Sequence, residues 1–155
     1  MKVQNYMKGE PNKKLQEGLR KVLSDTFVLY FKTHSFHWNV EGKMFKTLHD
    51  LFEEQYTELW QATDEIAERI RALGGYAPNN YTELLKDSSL AEMGQTPDSA
   101  SMTKALAEDN REIVNTILDV FKVAQDAGDE GTMDMMVERT KVHEKAAWML
   151  ESMTE

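Results

Sequence analysis

His37, His49, Glu53, Asp64 and Glu68 are two imidazoles and three carboxylates lying close together in the sequence. Nitrogen and hard oxygen donors without sulfur suit iron, manganese or zinc better than copper(I), and the chain has no cysteine. Four of the five fall on one predicted helix, from about Met44 to Leu73, as two pairs at i, i+4: His49/Glu53 and Asp64/Glu68. At about 100° per residue their side chains project within a sector of about 100°, so they share a face. Glu53 and Asp64 are still separated by about 16 Å along the axis, at about 1.5 Å per residue. That is too far for one small metal site with ligand bonds of about 2.0–2.2 Å. The two pairs are, however, spaced symmetrically about Glu58 and Leu59. An antiparallel copy of the helix crossing there would set His49 against Glu68 of the partner subunit and Glu53 against the partner subunit's Asp64. Two identical His/carboxylate clusters would then form at an isologous two-fold interface.

The elements that must position these groups are helices. A first helix is predicted to start at Pro11, which is tolerated at a helix's first position. Leu15, Leu19, Val22, Leu23, Tyr30, His34 and His37 follow helical spacing, and the segment ends before Gly42. The short Asn39-Val40-Glu41-Gly42 connection predicts an antiparallel hairpin, in which His37 and His49 flank the turn and can converge. The second helix carries an apolar stripe at Phe45, Leu48, Phe52, Tyr56, Leu59, Ile66, Ile70 and Leu73. The ligand stripe lies beside it, centred on Trp60, a residue type that commonly anchors interfaces. Gly74-Gly75 and Pro78 stop the helix. Residues 76–98 form a long connection with a short helix near Tyr81 to Lys86, which lets the next long helix start at the far end of the bundle. Met102, Leu106, Ile113, Ile117, Val120 and Ala124 outline that helix. Asp129, after Ala127-Gly128, is placed to cap the last one, whose buried side is marked by Met133, Met136, Thr140, His143, Ala147 and Leu150. Four long helices with one long crossover make an all-α, ferritin-like four-helix bundle, with a short extra helix between helices two and three. The expected division is a flexible tail over residues 1–10 and a single domain over 11–155.

Composition narrows the function. The net charge of −9 disfavours duplex coating, which rests on a basic patch, and favours attraction of cations. Lys2, Lys8, Lys13 and Lys14 make only a weakly basic start, so DNA binding is expected to be weak or absent. No apolar run approaches the ~20 residues needed to span a bilayer, and the first residues lack a signal peptide's apolar region. No membrane association and a cytoplasmic location are the expectations, with association to a nucleoid tied to the DNA-binding alternative. An acidic helix also shows i, i+4 carboxylate pairs by chance in a chain with 27 Asp and Glu, so spacing alone leaves a metal-free bundle open.

The run His37-Trp38-Asn39-Val40-x-Gly42-x-x-Phe45-x-x-Leu48-His49-x-x-Phe52-Glu53 resembles the signature of the Dps family of miniferritins. So do Asp64-x-Ile66-Ala67-Glu68-Arg69-Ile70-x-Ala72-Leu73-Gly74-Gly75 and His143-Glu144-Lys145-x-x-Trp148-Met149-Leu150. The resemblance covers most of the chain. No histidine has Glu three residues before it, unlike the Glu-x-x-His motifs of ferritins proper. The resemblance implies a ferroxidase centre shared between subunits, with His37, His49 and Glu53 from one chain and Asp64 and Glu68 from its mate, holding two irons. The family commonly carries Asp where Glu53 stands. It further implies a twelve-subunit shell built from two-fold dimers, oxidation of Fe(II) preferentially by hydrogen peroxide, storage of ferric mineral, and protection against oxidative damage. Asp126, Asp129, Glu130 and Asp134 correspond to the region that lines acidic pores in the family, and Asp50 and Glu54 could nucleate mineral. A DNA-compacting structural protein with secondary iron binding is the alternative. Trp38 is expected to pack in the core, with radical scavenging as its other reading. His34 and His143 are expected to be structural core residues, and the ten methionines flexible packing.

Overall fold

The computed structural model describes residues 8–154. Five helices follow one another: α1 (Gly9–Asn39), α2 (Phe45–Ala72), α3 (Tyr81–Leu85), α4 (Ser99–Ala127) and α5 (Glu130–Ser152). Residues 1–7, most of the expected tail, lie outside the described residues. The first helix begins at Gly9, two residues ahead of Pro11. Proline costs nothing there, because the first four amides of a helix have no intrahelical acceptor.

Side-chain pairings give the directions. His37 meets His49 and Asn12 meets the carbonyl of Leu73, so α1 and α2 are antiparallel. Asp25 meets Thr116 and Lys32 meets Asp109, which sets α4 antiparallel to α1. Asn110 with His143 and Glu58 with Arg139 do the same for α5 against α4 and α2. The helices α2 and α4 therefore run in the same direction. The chain must travel the length of the bundle between them, and α3 lies on that path, packed on α1. This is the ferritin-like arrangement that the helix lengths predicted.

The α4 stripe predicted from sequence is entirely buried, as are Leu48, Phe52, Leu59, Ile66, Ile70 and Leu73 of α2. Each such side chain contributes about 1.5–3 kcal/mol by leaving water. Phe45 and Tyr56 depart from the predicted core: Phe45 is exposed and Tyr56 half-buried. Helices α1 and α4 come close at Gly18, where an added Cβ would stand 2.8 Å from Val120 Cγ2. Gly128, at φ 72°, turns the chain from α4 into α5 in the left-handed conformation that glycine adopts freely.

Two buried polar hubs tie the bundle together. The fully buried carboxylate of Asp25 accepts from Ser88 Oγ (3.0 Å), Ser89 N (2.6 Å), Ser89 Oγ (2.7 Å) and Thr116 Oγ1 (2.8 Å), fixing the crossover to α1 and α4. On the other side, His143 Nδ1 donates to Asn110 Oδ1 (2.8 Å), and its Nε2 accepts from Arg139 Nη2 (3.0 Å). Arg139 also holds Glu58 of α2 in an ion pair. Burial, and then the Arg139 charge, pushes His143 well below the usual imidazole range, so it is neutral at pH 7. Its expected structural role holds.

Candidate metal centre

The last turn of α1 and the start of α2 bring His37 and His49 face to face. Their rings stack at a centroid distance of 3.8 Å, with planes 16° apart. His37 Nδ1 donates to the His49 carbonyl (2.7 Å), and His49 Nδ1 donates to the His37 carbonyl (2.8 Å). A carbonyl can only accept, so the proton of each neutral ring sits on Nδ1, and each Nε2 keeps its lone pair for a ligand. The His37 carbonyl lies in the last turn of α1, among the carbonyls that have no partner within their own helix. The crossed hydrogen bonds therefore satisfy a helix end and orient the two imidazoles together, the kind of carbonyl contact that also orients metal-binding histidines. Val40 is buried at the cap, and Phe45 stacks on His49 at 5.0 Å.

The carboxylates stand apart from this pair. Glu53, Asp64 and Glu68 are exposed, and among the described residues none of them makes an ion pair or side-chain hydrogen bond. Glu53 follows His49 by one helical turn, within i, i+4 reach, yet does not close on the imidazoles. Among the described residues, no three His, Asp or Glu side chains meet within one chain to hold a metal. Trp60, between the two carboxylate groups on the same helix, is 58% exposed. One chain thus presents two paired imidazoles, separate exposed carboxylates and a large uncovered aromatic side chain.

Beside the imidazoles lies a cluster of rings that the sequence reading distributed over two core stripes. His34 packs edge-on against Tyr56 (centroids 3.7 Å) and at a tilt against Trp38 (4.2 Å), and Tyr56 lies 5.1 Å from His37. The Tyr30 hydroxyl is 3.0 Å from His34 Nδ1, and its ring is 5.2 Å from Trp60. Desolvation, then the Tyr56 hydroxyl, raises Tyr30 above the usual phenol range; desolvation, then His37, lowers His34. The signal for the cluster was the i, i+4 pair Tyr30/His34 on α1 facing Tyr56/Trp60 on α2. Two expectations are corrected here. Trp38 is 58% exposed rather than in the core, because it follows His37 by about 100° of helical rotation and leaves the buried stripe. His34 is half-buried among rings instead of in the core.

The remaining predicted residues divide. Asp126, Glu130 and Asp134 are exposed around the α4–α5 turn. Asp129 is fully buried, and its expected capping role is the one observed. Its carboxylate accepts from Thr132 N (3.2 Å), Thr132 Oγ1 (2.6 Å) and Arg69 Nη2 (2.6 Å), so it is withdrawn from any pore surface. Asp50 is half-buried and paired with Lys46 at 2.9 Å, whereas Glu54 is exposed.

Four long helices with a long crossover between the parallel α2 and α4 make the ferritin-like fold. The family model described as a ferritin-like domain matches residues 16–155. A relative from Bacillus anthracis, named DNA protection during starvation protein 2, is 40% identical over 139 residues, covering 90% of this chain and 95% of that protein. The crystal structure of a Dps protein from Bacillus brevis superposes with a TM-score of 0.92 at 35% identity, covering 96% of this chain and all of that one. A Dps protein from Vibrio cholerae O1, described as a member of a broad superfamily of ferritin-like diiron-carboxylate proteins, gives 0.89 at 32% identity, covering 94% and 91%. The chain belongs to the Dps family of miniferritins. Among the described residues no helix is long and apolar enough to cross a membrane.

Proposed function

We propose that this protein removes and stores iron. Fe(II) is the substrate, oxidised preferentially by hydrogen peroxide at centres shared between two-fold related subunits, and the ferric product is kept in a hollow, twelve-subunit shell. The observation that carries the reading is the crossed His37/His49 pair, whose two Nε2 lone pairs are fixed by backbone carbonyls and have no other evident use. In the proposed dimer, Asp64 and Glu68 of one chain close on the His37, His49 and Glu53 group of the other, with two irons per centre. Anionic oxygens favour Fe(III) over Fe(II), since hard donors match the higher charge. The imidazoles supply neutral donors, which leaves the carboxylate count to set the charge balance. The relatives' diiron-carboxylate description and the DNA-protection name support the reading, the latter because consuming Fe(II) and peroxide together removes the reactants that form hydroxyl radical. Asp126, Glu130 and Asp134 remain the candidates for an entry path and Glu54 for nucleation. Cytoplasmic placement follows from the same reading.

The test is anaerobic addition of Fe(II) followed by peroxide, with ferric absorbance followed in wild type and in His49→Ala/Asp64→Ala. Fast oxidation and soluble mineral in wild type, lost in the variant, are expected. Equal rates in both would refute the centre.

A further inference from the structure

We propose that Arg69 is a positioning residue for iron entry. By forking onto Asp129 and Thr132 it holds the α4–α5 turn, with the exposed Asp126, Glu130 and Asp134, at the end of α2 that carries Glu68. The inference rests on the iron-oxidation reading above and on its candidate entry path, and adds a residue to both.

Arg69 stands in the last turn of α2, and Asp129 caps the start of α5. The two helices are antiparallel, so these ends meet. Arg69 Nη2 donates to Asp129 Oδ1 (2.6 Å) and Arg69 Nε to Thr132 Oγ1 (3.0 Å), while Thr132 Oγ1 donates to Asp129 Oδ2 (2.6 Å). The three hydrogen bonds close a ring through three side chains. Only a planar guanidinium offers two N–H groups at that fixed spacing; a lysine ammonium carries the charge without the fork. Both helix dipoles favour the arrangement, with a cation at the C-terminal end of α2 and an anion at the N-terminal end of α5.

Gly131 shows that the seat is built from the α5 side as well. An added Cβ there would stand 2.9 Å from Arg69 Nη2 and 3.1 Å from its Cζ. Gly131 lies within α5 and is not among the glycines of positive φ, so its backbone does not demand glycine. The missing side chain makes room for the guanidinium.

The Arg69 charge is matched by buried Asp129, so the clamp adds no net charge to the turn. Attraction for Fe(II) is left to Asp126 in the last turn of α4 and to Glu130 and Asp134 at the start of α5. Like charges gathered at one junction repel and splay unless the backbone beneath them is held. Arg69 holds it, and the next residue back along α2 is the candidate ligand Glu68.

The experiment measures the initial rate of ferric absorbance on assembled protein over a range of Fe(II) concentrations, with peroxide in excess. Arg69→Met is expected to raise the half-saturating Fe(II) concentration several-fold while the rate at saturation is retained. Arg69→Lys, which keeps the charge and loses the fork, is expected to do the same. Gly131→Ala displaces the guanidinium from the α5 side and leaves α2 untouched. It is expected to match them, and combining it with Arg69→Met should add nothing further. Gly18→Ala, a change elsewhere in the bundle, controls for general loosening and is expected to leave half-saturation where it was. Wild-type behaviour in Arg69→Lys or Gly131→Ala, additive effects in the double variant, or an equal shift in Gly18→Ala would overturn the proposal. An unshifted half-saturation in Asp126→Asn/Glu130→Gln/Asp134→Asn would overturn it too, by removing the entry path. Each of these outcomes, with normal mineral formation in wild type, refutes this inference alone. Wild type that forms no mineral refutes the iron-oxidation reading beneath it.

Discussion

Sharing of the centre can be tested by complementation. Consider two inactive chains: one with His37→Ala/His49→Ala, the other with Asp64→Ala/Glu68→Ala. His49 and the Asp64/Glu68 pair lie on opposite sides of Glu58 and Leu59 along α2, so the proposed two-fold dimer would join the imidazoles of each chain to Asp64 and Glu68 of the other. In a mixed dimer, one centre inherits both defects and the second inherits none. Random pairing of equal amounts makes half of the dimers mixed, and each regains one centre of two, so about a quarter of wild-type centres return. The assay is the initial rate of ferric absorbance per subunit after co-expression, compared with each variant alone and with a simple mixture of assembled proteins. Rates near a quarter of wild type after co-expression, against near zero in the three controls, are expected. A co-expressed protein as inactive as its parents would refute the shared arrangement and place each centre within a single chain.

Other predictions concern what holds the site's frame. Native His143 resists protonation, so the unfolded chain binds more protons below about pH 6.5 and stability falls as pH drops through that region, at up to about 1.4 kcal/mol per pH unit. His143→Gln should flatten the dependence in urea titrations between pH 5 and 7. Gly18→Ala should cost about 1–3 kcal/mol by forcing a methyl onto Val120, and Val120→Ala in the same chain should recover part of the loss in thermal melts. Asp25→Ala leaves the Ser89 amide without its acceptor, and the cost should be about 3 kcal/mol. Hydrogen exchange at residues 88–90 should rise more than elsewhere.

The parts of the fold visible in the sequence were those encoded locally. Gly128 marks a left-handed turn, the α4 stripe repeats with helical period, and the short link after Asn39 forces a hairpin, so helix ends and directions followed. The convergence of His37 and His49 was legible for the same reason, since both flank one turn. Their crossed carbonyl bonds were not, because those depend on where the end of α1 lies over the start of α2. Asp25 looked like any helical carboxylate, and only the path of the crossover, which brings Ser88 and Ser89 onto it, gives it four donors. Asp129 shows a different limit. Its place before α5 predicts a cap as readily as a pore, and the approach of Arg69 from α2 decides for the cap.

The separation of imidazoles from carboxylates along one helix has a consequence for the newly made chain. The histidine half-site is finished as soon as the first hairpin folds, with its tautomers already set. In the proposed dimer, Asp64 and Glu68, which would complete it, come from another molecule. On the proposed reading, a lone subunit is therefore chemically silent toward iron and peroxide, and its reactivity is switched on by dimerisation. The oxidation would begin only once an assembly exists to hold its product.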